Sequence, residues 1–134
     1  VSWVLSTTLE SKWVVKAINK AKNKRGIKNP LIIHSDRGIQ YTCEAYRAAT
    51  KDMIRSYSKK SYPWDNACIE SFHAIIKREW LNRYKILDYK HAEKLVFEYI
   101  ETFYNTVRIH SHCEYLSPNQ YEDKYYLDNN KKVS

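Results

Sequence analysis

Two acids in this sequence stand where chemistry could use them. Asp36 closes Ile32-Ile33-His34-Ser35 and precedes Arg37-Gly38, just past a short apolar run that reads as a buried strand. Open α/β sheets place ligand sites at the carboxyl ends of their strands. The chain has only two glycines and spends one beside this aspartate. The plainer alternative is a tight turn, for which Asp-x-Gly is an ordinary sequence. Glu70 is expected in the first turns of a helix running from Ala67 to about Tyr84, near the positive end of its dipole. A capping box from Asp65 or Asn66 would need its acid at Cys68 or Ile69, so capping does not account for Glu70. It shares a helix face with His73, Ala74 and Lys77, beside an apolar face of Ile69, Phe72, Ile76 and Trp80. Its plainer reading is an exposed glutamate paired with its neighbours. Two converging carboxylates suit Mg²⁺, a hard ion held by few acids plus water and phosphate oxygens. Phosphodiester chemistry uses such ions to activate a nucleophile and steady a leaving oxygen.

The elements that must position these acids follow from the spacing of apolar residues. Val1–Ser6 reads as a short entering strand. Leu9, Trp13, Val14, Ala17, Ile18 and Ala21 form one helical stripe, which Gly26 ends after a run of cations. Pro30 opens the strand before Asp36, and Thr42 is the expected N-cap of a helix from about Cys43 to Lys51. Met53–Ser58 reads as another strand, followed by the loop Lys59–Asn66, with Asp65 or Asn66 capping the Glu70 helix. Asp88 caps a further helix whose Ala92, Leu95, Val96, Tyr99, Ile100, Phe103 and Tyr104 are amphipathic in spacing. Leu116-Ser117-Pro118 starts a last short helix, and the final residues from Asn129 are expected to fray. Strand, helix, strand, helix, strand and then helices make an α/β beginning with a helical end.

Composition narrows the partners. The chain has 134 residues, 43% of them hydrophobic, and a formal charge of +8 from 23 Lys+Arg against 15 Asp+Glu. That is enough for a core and favours a polyanion such as nucleic acid. The basic run Lys22–Lys28 is as readily a solvated helix face as a nucleic-acid contact. No apolar run reaches the roughly 20 residues of a membrane span, and Val1–Leu5 is too short for a signal peptide. Three scattered cysteines, Cys43, Cys68 and Cys113, do not make a disulfide framework and fit a reducing cytoplasm. With Val at position 1 and Met53 its only methionine, the chain is expected to be a piece of a longer product.

Three segments in order carry a family resemblance: His34–Tyr41 (HSDRGIQY), Ser56–Trp80 (SYSKKSYPWDNACIESFHAIIKREW) and Phe103–Glu122 (FYNTVRIHSHCEYLSPNQYE). Together they resemble the C-terminal part of the catalytic core of bacterial insertion-sequence transposases, the retroviral-integrase-like DDE group, from about Val1 to Tyr125. The resemblance implies a partial RNase H-like fold lacking its first two strands, with residues 126–134 as a tail. It places the second metal-binding carboxylate on Asp36 and the third on Glu70, with Mg²⁺ or Mn²⁺ as cofactor. It puts a DNA-facing cation on Lys77, and Arg78, Lys59, Lys60, Arg37 and Arg108 join it as candidate DNA contacts. Tyr104, Asn105, Arg108 and His110 match the family's Y-N-x-x-R-x-H segment, where packing plus DNA or subunit contact is expected. The implied partners are transposon-end and target DNA and further copies of the intact protein, in the cytoplasm and on the nucleoid.

The sequence also departs from that pattern. The family's first Asp belongs to a strand outside these 134 residues, and Glu10, inside the first helix, does not replace it. Thirty-three residues separate Asp36 from Glu70, slightly fewer than usual. Ser61 stands where a glycine is usual, and Cys113-Glu114 replace Leu-Gly. In an RNase H-like sheet the strands at Val1–Ser6 and Leu31–His34 are not neighbours, so each would carry an open edge. Residues 1–134 by themselves are therefore expected to be marginally stable and inactive. Two rival readings are a remnant that only binds DNA or a partner, and a zinc module built on His110, His112 and Cys113. The zinc module lacks a Cys-x-x-Cys partner.

Overall fold

A computed structural model describes residues 2–26, 30–60 and 62–131. Ser61, part of the basic run at 27–29 and the last three residues lie outside the described residues. The protein is a mixed α/β chain, mostly helical, with one small sheet. It divides into two compact units, Val1–Ser71 and Phe72–Ser134.

In the first unit, residues 2–6 are not a strand. A strand needs a neighbour to complete its ladder, and among the described residues this stretch has none. It lies instead along α1 (Ser11–Arg25): Ser2 Oγ donates to the Ala17 carbonyl at 2.7 Å, and Lys20 reaches the Trp3 carbonyl at 3.4 Å. The apolar stripe of α1 buries Ile18, and the helix stops at Gly26, whose φ of 54° is left-handed and whose N–H bonds back to the Lys22 carbonyl. Glycine adopts that conformation without steric cost.

β1 (Ile32–Ser35) and β2 (Ile54–Tyr57) pair in parallel, with Ile32 opposite Ile54 and Ser35 opposite Tyr57. The crossover between them holds α2 (Ile39–Thr42) and α3 (Glu44–Ala49). Thr42 is not the cap of the second of these. It ends α2, its hydroxyl donating back to the Ile39 carbonyl at 3.3 Å, and Cys43 takes the N-cap position of α3 without a side-chain bond. Tyr46 is fully buried from α3, meeting Tyr41 edge-on at 5.7 Å. The sheet is not covered on all sides, since Ile32 is 70% and Ile54 57% exposed.

α4 (Ala67–Glu79) follows a 3₁₀ turn, Pro63–Asn66, that runs straight into it. Asp65 therefore does not cap α4; its Oδ2 accepts the Lys59 N–H at 2.8 Å and pins the preceding loop. α4 ends earlier than its sequence suggests. Trp80 leaves helical geometry at φ −132°, and a short 3₁₀ turn, Leu81–Arg83, continues the chain.

The second unit is built on aromatic packing. α5 (Tyr89–Phe97) starts at Asp88, whose Oδ1 accepts the His91 N–H at 2.7 Å. Glu98–Tyr104 continues it as a π-helix, closed by bonds such as Asn105 N–H to the Ile100 carbonyl at 3.1 Å. Leu95, Val96, Tyr99 and Ile100 are buried here, as is Ile76 of α4. Phe72 meets Tyr104 edge-on at 5.1 Å, and Trp80 packs against Tyr99 and Phe103. A bridge between His110 and Leu116 closes a tight loop in which Glu114 and Tyr115 hold φ of 54° and 61°. α6 (Pro118–Lys131) then starts from a capping box. The Gln120 side chain accepts the Ser117 N–H at 2.9 Å, and Ser117 Oγ accepts the Gln120 N–H at 3.4 Å. α6 is longer than a short closing helix and runs on past Tyr125. Among the described residues no helix is long and apolar enough to cross a membrane.

Candidate active site

Asp36 emerges half-buried at the end of β1, held by the strand pairing beneath it. Its Oδ1 accepts the Gly38 N–H at 2.7 Å, an Asx-type turn, while Oδ2 takes no hydrogen bond from a described residue. The turn and the free carboxylate oxygen are therefore two properties of one side chain. Ser58, the residue after β2, lines the same cavity and is buried. The Ser58 N–H donates to the Ser35 carbonyl at 2.9 Å, and Arg37 Nε donates to the Ser58 carbonyl at 3.0 Å. His34 also joins the strands, with Nδ1 2.9 Å from Ser56 Oγ and Nε2 3.1 Å from Ser58 Oγ. The His-Ser-Asp order quoted from the sequence contained this brace, but no spacing rule revealed that both ring nitrogens would be used.

Asp36 and Glu70 line one open cavity of about 360 Å³, together with Arg37, Lys59, Lys60 and Asn66. Glu70 is exposed and its carboxylate makes no ion pair or hydrogen bond with a described residue. The two lysines beside it are equally unpaired. A glutamate left unpaired among cations is not explained as part of a surface ion pair. Two carboxylates with free oxygens are the donor chemistry a hard divalent cation takes, with water and phosphate oxygens completing its shell. The residues present thus fit Mg²⁺ or Mn²⁺ as far as two ligands go. Among the described residues no group of three or more His, Cys, Asp and Glu could hold a metal. That also removes the zinc module: His110, His112 and Cys113 are not gathered into a ligand set, and His110 packs edge-on against Tyr104 at 4.7 Å.

The other candidate cations fall differently. Lys77 and Arg78 lie exposed on α4, and Lys77 is seven residues beyond Glu70, hence on the same helix face. Arg108 is committed. Its Nε and Nη2 donate to the two oxygens of Glu79, each at 2.8 Å, and Tyr99 donates its hydroxyl to Glu79 Oε2 at 2.7 Å. The Arg108 guanidinium beside it, aided by Tyr99, holds the Glu79 carboxyl down at about 2. Burial pushes the Tyr99 phenol upward, and its bond to Glu79 adds to the shift. Burial lowers His110, and the Arg108 charge 3.2 Å away adds to that. The packing expected of the Tyr104–His110 segment is thus an ion-pair clamp. Its acid, Glu79, is 29 residues away in sequence, beyond the reach of helix or strand spacing.

Similarity to known proteins follows the same residues. The transposase for insertion sequence element IS904 of Lactococcus lactis is 37% identical over 124 residues, covering 91% of this chain and 49% of that protein. Transposase InsF for insertion sequence IS3A of Escherichia coli strain K12 is 35% identical over 126 residues, covering 92% and 44%. Residues 51–118 match the family model of the integrase core domain. This chain belongs to the integrase-core family of insertion-sequence transposases. The match contains Glu70, Lys77 and the Arg108 clamp, whereas Asp36 lies before it. The chain spans about half the length of the curated relatives it matches. An integrase core implies an RNase H-like fold, and a parallel β1–β2 pair accords with its parallel part.

Proposed function

We propose that this chain is part of a DNA transposase core in which Asp36 and Glu70 supply two carboxylates of a divalent-metal site. The intact protein would cleave and join DNA strands at transposon ends and target, acting as a homo-oligomer. The shared cavity of Asp36 and the unpaired Glu70, rimmed by cations, is the observation that carries this reading. When bound, Mg²⁺ or Mn²⁺ supplies Lewis-acid chemistry, activating a water or 3′-hydroxyl and neutralising the phosphodiester. The Asx turn fixes the Asp36 carboxylate, and Glu70 is carried in the first turn of α4. Lys59 and Lys60 draw the phosphate backbone to the cavity, and Lys77 and Arg78 offer further cations on α4. The family's first carboxylate is not among these residues, so residues 1–134 by themselves are expected to bind metal and DNA without cutting.

Thermal melting of the purified chain with increasing Mn²⁺ tests the site. At metal concentrations near 100 times the dissociation constant, the gain is about 2.7 kcal/mol, and both Asp36→Asn and Glu70→Gln remove it. Melting unaffected by metal, with DNA binding retained, would leave a chain that only binds DNA or a partner.

A further inference from the structure

The second unit holds a cavity that the metal site does not use. It encloses about 600 Å³ and is lined by Trp80, Arg83, Phe103, Val107, Ile109 and the Glu79–Arg108 pair. That size falls in the roughly 300–1,000 Å³ range of small-ligand pockets. The Trp80 and Phe103 rings are within 17° of parallel, with centroids 6.2 Å apart, so they offer flat faces of one orientation. Val107 and Ile109 edge the cavity and are 61% and 60% exposed, an unusual position for two β-branched side chains unless something covers them.

Charge decides what would cover them. Glu79 and Arg108 neutralise each other through two hydrogen bonds. The Arg83 guanidinium at the cavity wall has no ion pair or hydrogen bond with a described residue, and neither has the Lys85 ammonium close by in sequence. The cavity therefore joins a flat aromatic and aliphatic interior to an uncompensated cation. An apolar peptide would leave Arg83 unanswered, and a phosphate alone would leave the apolar wall wet. An unpaired nucleotide satisfies both, with its base against Trp80 and Phe103 and its phosphate on Arg83.

We propose that this cavity captures a single unpaired base of DNA, holding it out of the duplex. The inference builds on the DNA-binding reading above but concerns a different set of residues from the Asp36–Glu70 cavity. A captured base would anchor one nucleotide of the strand independently of metal.

The test uses the 134-residue chain and two synthetic duplexes, one fully paired and one carrying a single extrahelical 2-aminopurine. The unpaired base is expected to bind about tenfold more tightly, the worth of one stacked base, and its fluorescence to be quenched without metal present. Val107→Ser with Ile109→Ser, both at exposed positions, should abolish the preference and the quenching while binding of the paired duplex stays the same. Arg83→Ala should weaken the preference as well. Equal affinity for both duplexes without quenching overturns the base pocket and leaves the DNA-binding reading standing. Failure to bind either duplex overturns both. A dimer in sedimentation that the double serine variant converts to monomer assigns the groove to a second copy and overturns the proposal.

Discussion

The two units spend their residues differently. Among the described residues the first buries Ile18 and Tyr46 of its apolar side chains, whereas the second buries Ile76, Leu95, Val96, Tyr99 and Ile100. The first leaves Ile32, Ile39 and Ile54 more than half exposed beside its catalytic candidates. The second closes itself with an aromatic cluster, a side-chain N-cap, a capping box and a charged clamp. Burial of large side chains is where stability comes from, while an open, polar strand end is where a ligand can be held. The unit that holds the proposed metal ligands is thus the one with less of its own core, and the unit around the Y-N-x-x-R-x-H segment buries more of its apolar residues.

Breaking the clamp should give the largest loss. Arg108→Ala leaves the part-buried Glu79 charge with only the Tyr99 hydroxyl as partner, a cost of about 3 kcal/mol, read as a lower melting temperature in near-ultraviolet circular dichroism. Acid should do the same to the unaltered protein. The folded pKa of Glu79, about 2, lies below its unfolded value, so the unfolded chain binds the proton more readily. The clamp's contribution is complete above about pH 5 and is lost as pH falls toward 2. In Arg108→Ala that acid-dependent share should be absent.

Smaller effects sharpen the contrast. Ser117→Ala removes a buried cap from α6 and should cost about 1–2 kcal/mol in chemical denaturation. Glu114→Gly should stabilise by about 1 kcal/mol, since a residue with a Cβ holds a left-handed φ of 54° there. The exposed pair it would lose with Lys124 contributes little. At the other end, Asp36→Asn and Glu70→Gln should shift stability by less than about 0.5 kcal/mol, because asparagine keeps the bond from Gly38 and Glu70 has no partner to lose. If either melts the protein as far as Arg108→Ala does, the division between a better-buried unit and a ligand-holding unit is wrong.

What could be read from the sequence was local. Gly26, Asp88 and Pro118 marked helix ends because caps act within one turn. Asp36 and Glu70 could be singled out because each stood at an element end that its type did not fully explain. Misreadings arose where tertiary partners decide. Residues 2–6 have strand composition, yet they lie against α1 because no described strand flanks them. Thr42 and Asp65 are good caps by type, but Cys43 and the Pro63–Asn66 turn occupy those places. Glu79 and Arg108 are 29 residues apart, and no periodicity joins them. That both acids line one cavity needed the fold, because the loop between β2 and α4 brings them together.

The π-helix at Glu98–Tyr104 carries a consequence for how this segment tolerates change in length. A π segment accommodates one more residue than an α-helix would over the same stretch, so its wide turn works as a phase adjuster. Because the wide turn absorbs that residue, Tyr104 against Phe72 and Arg108 on Glu79 keep the phase that an uninterrupted α-helix would give them. Removing one residue from the wide turn lets it close to about 3.6 residues per turn while the motif beyond it stays in phase. Such a deletion would leave the clamp closed, so the segment holds room for a one-residue change in length that a regular helix lacks.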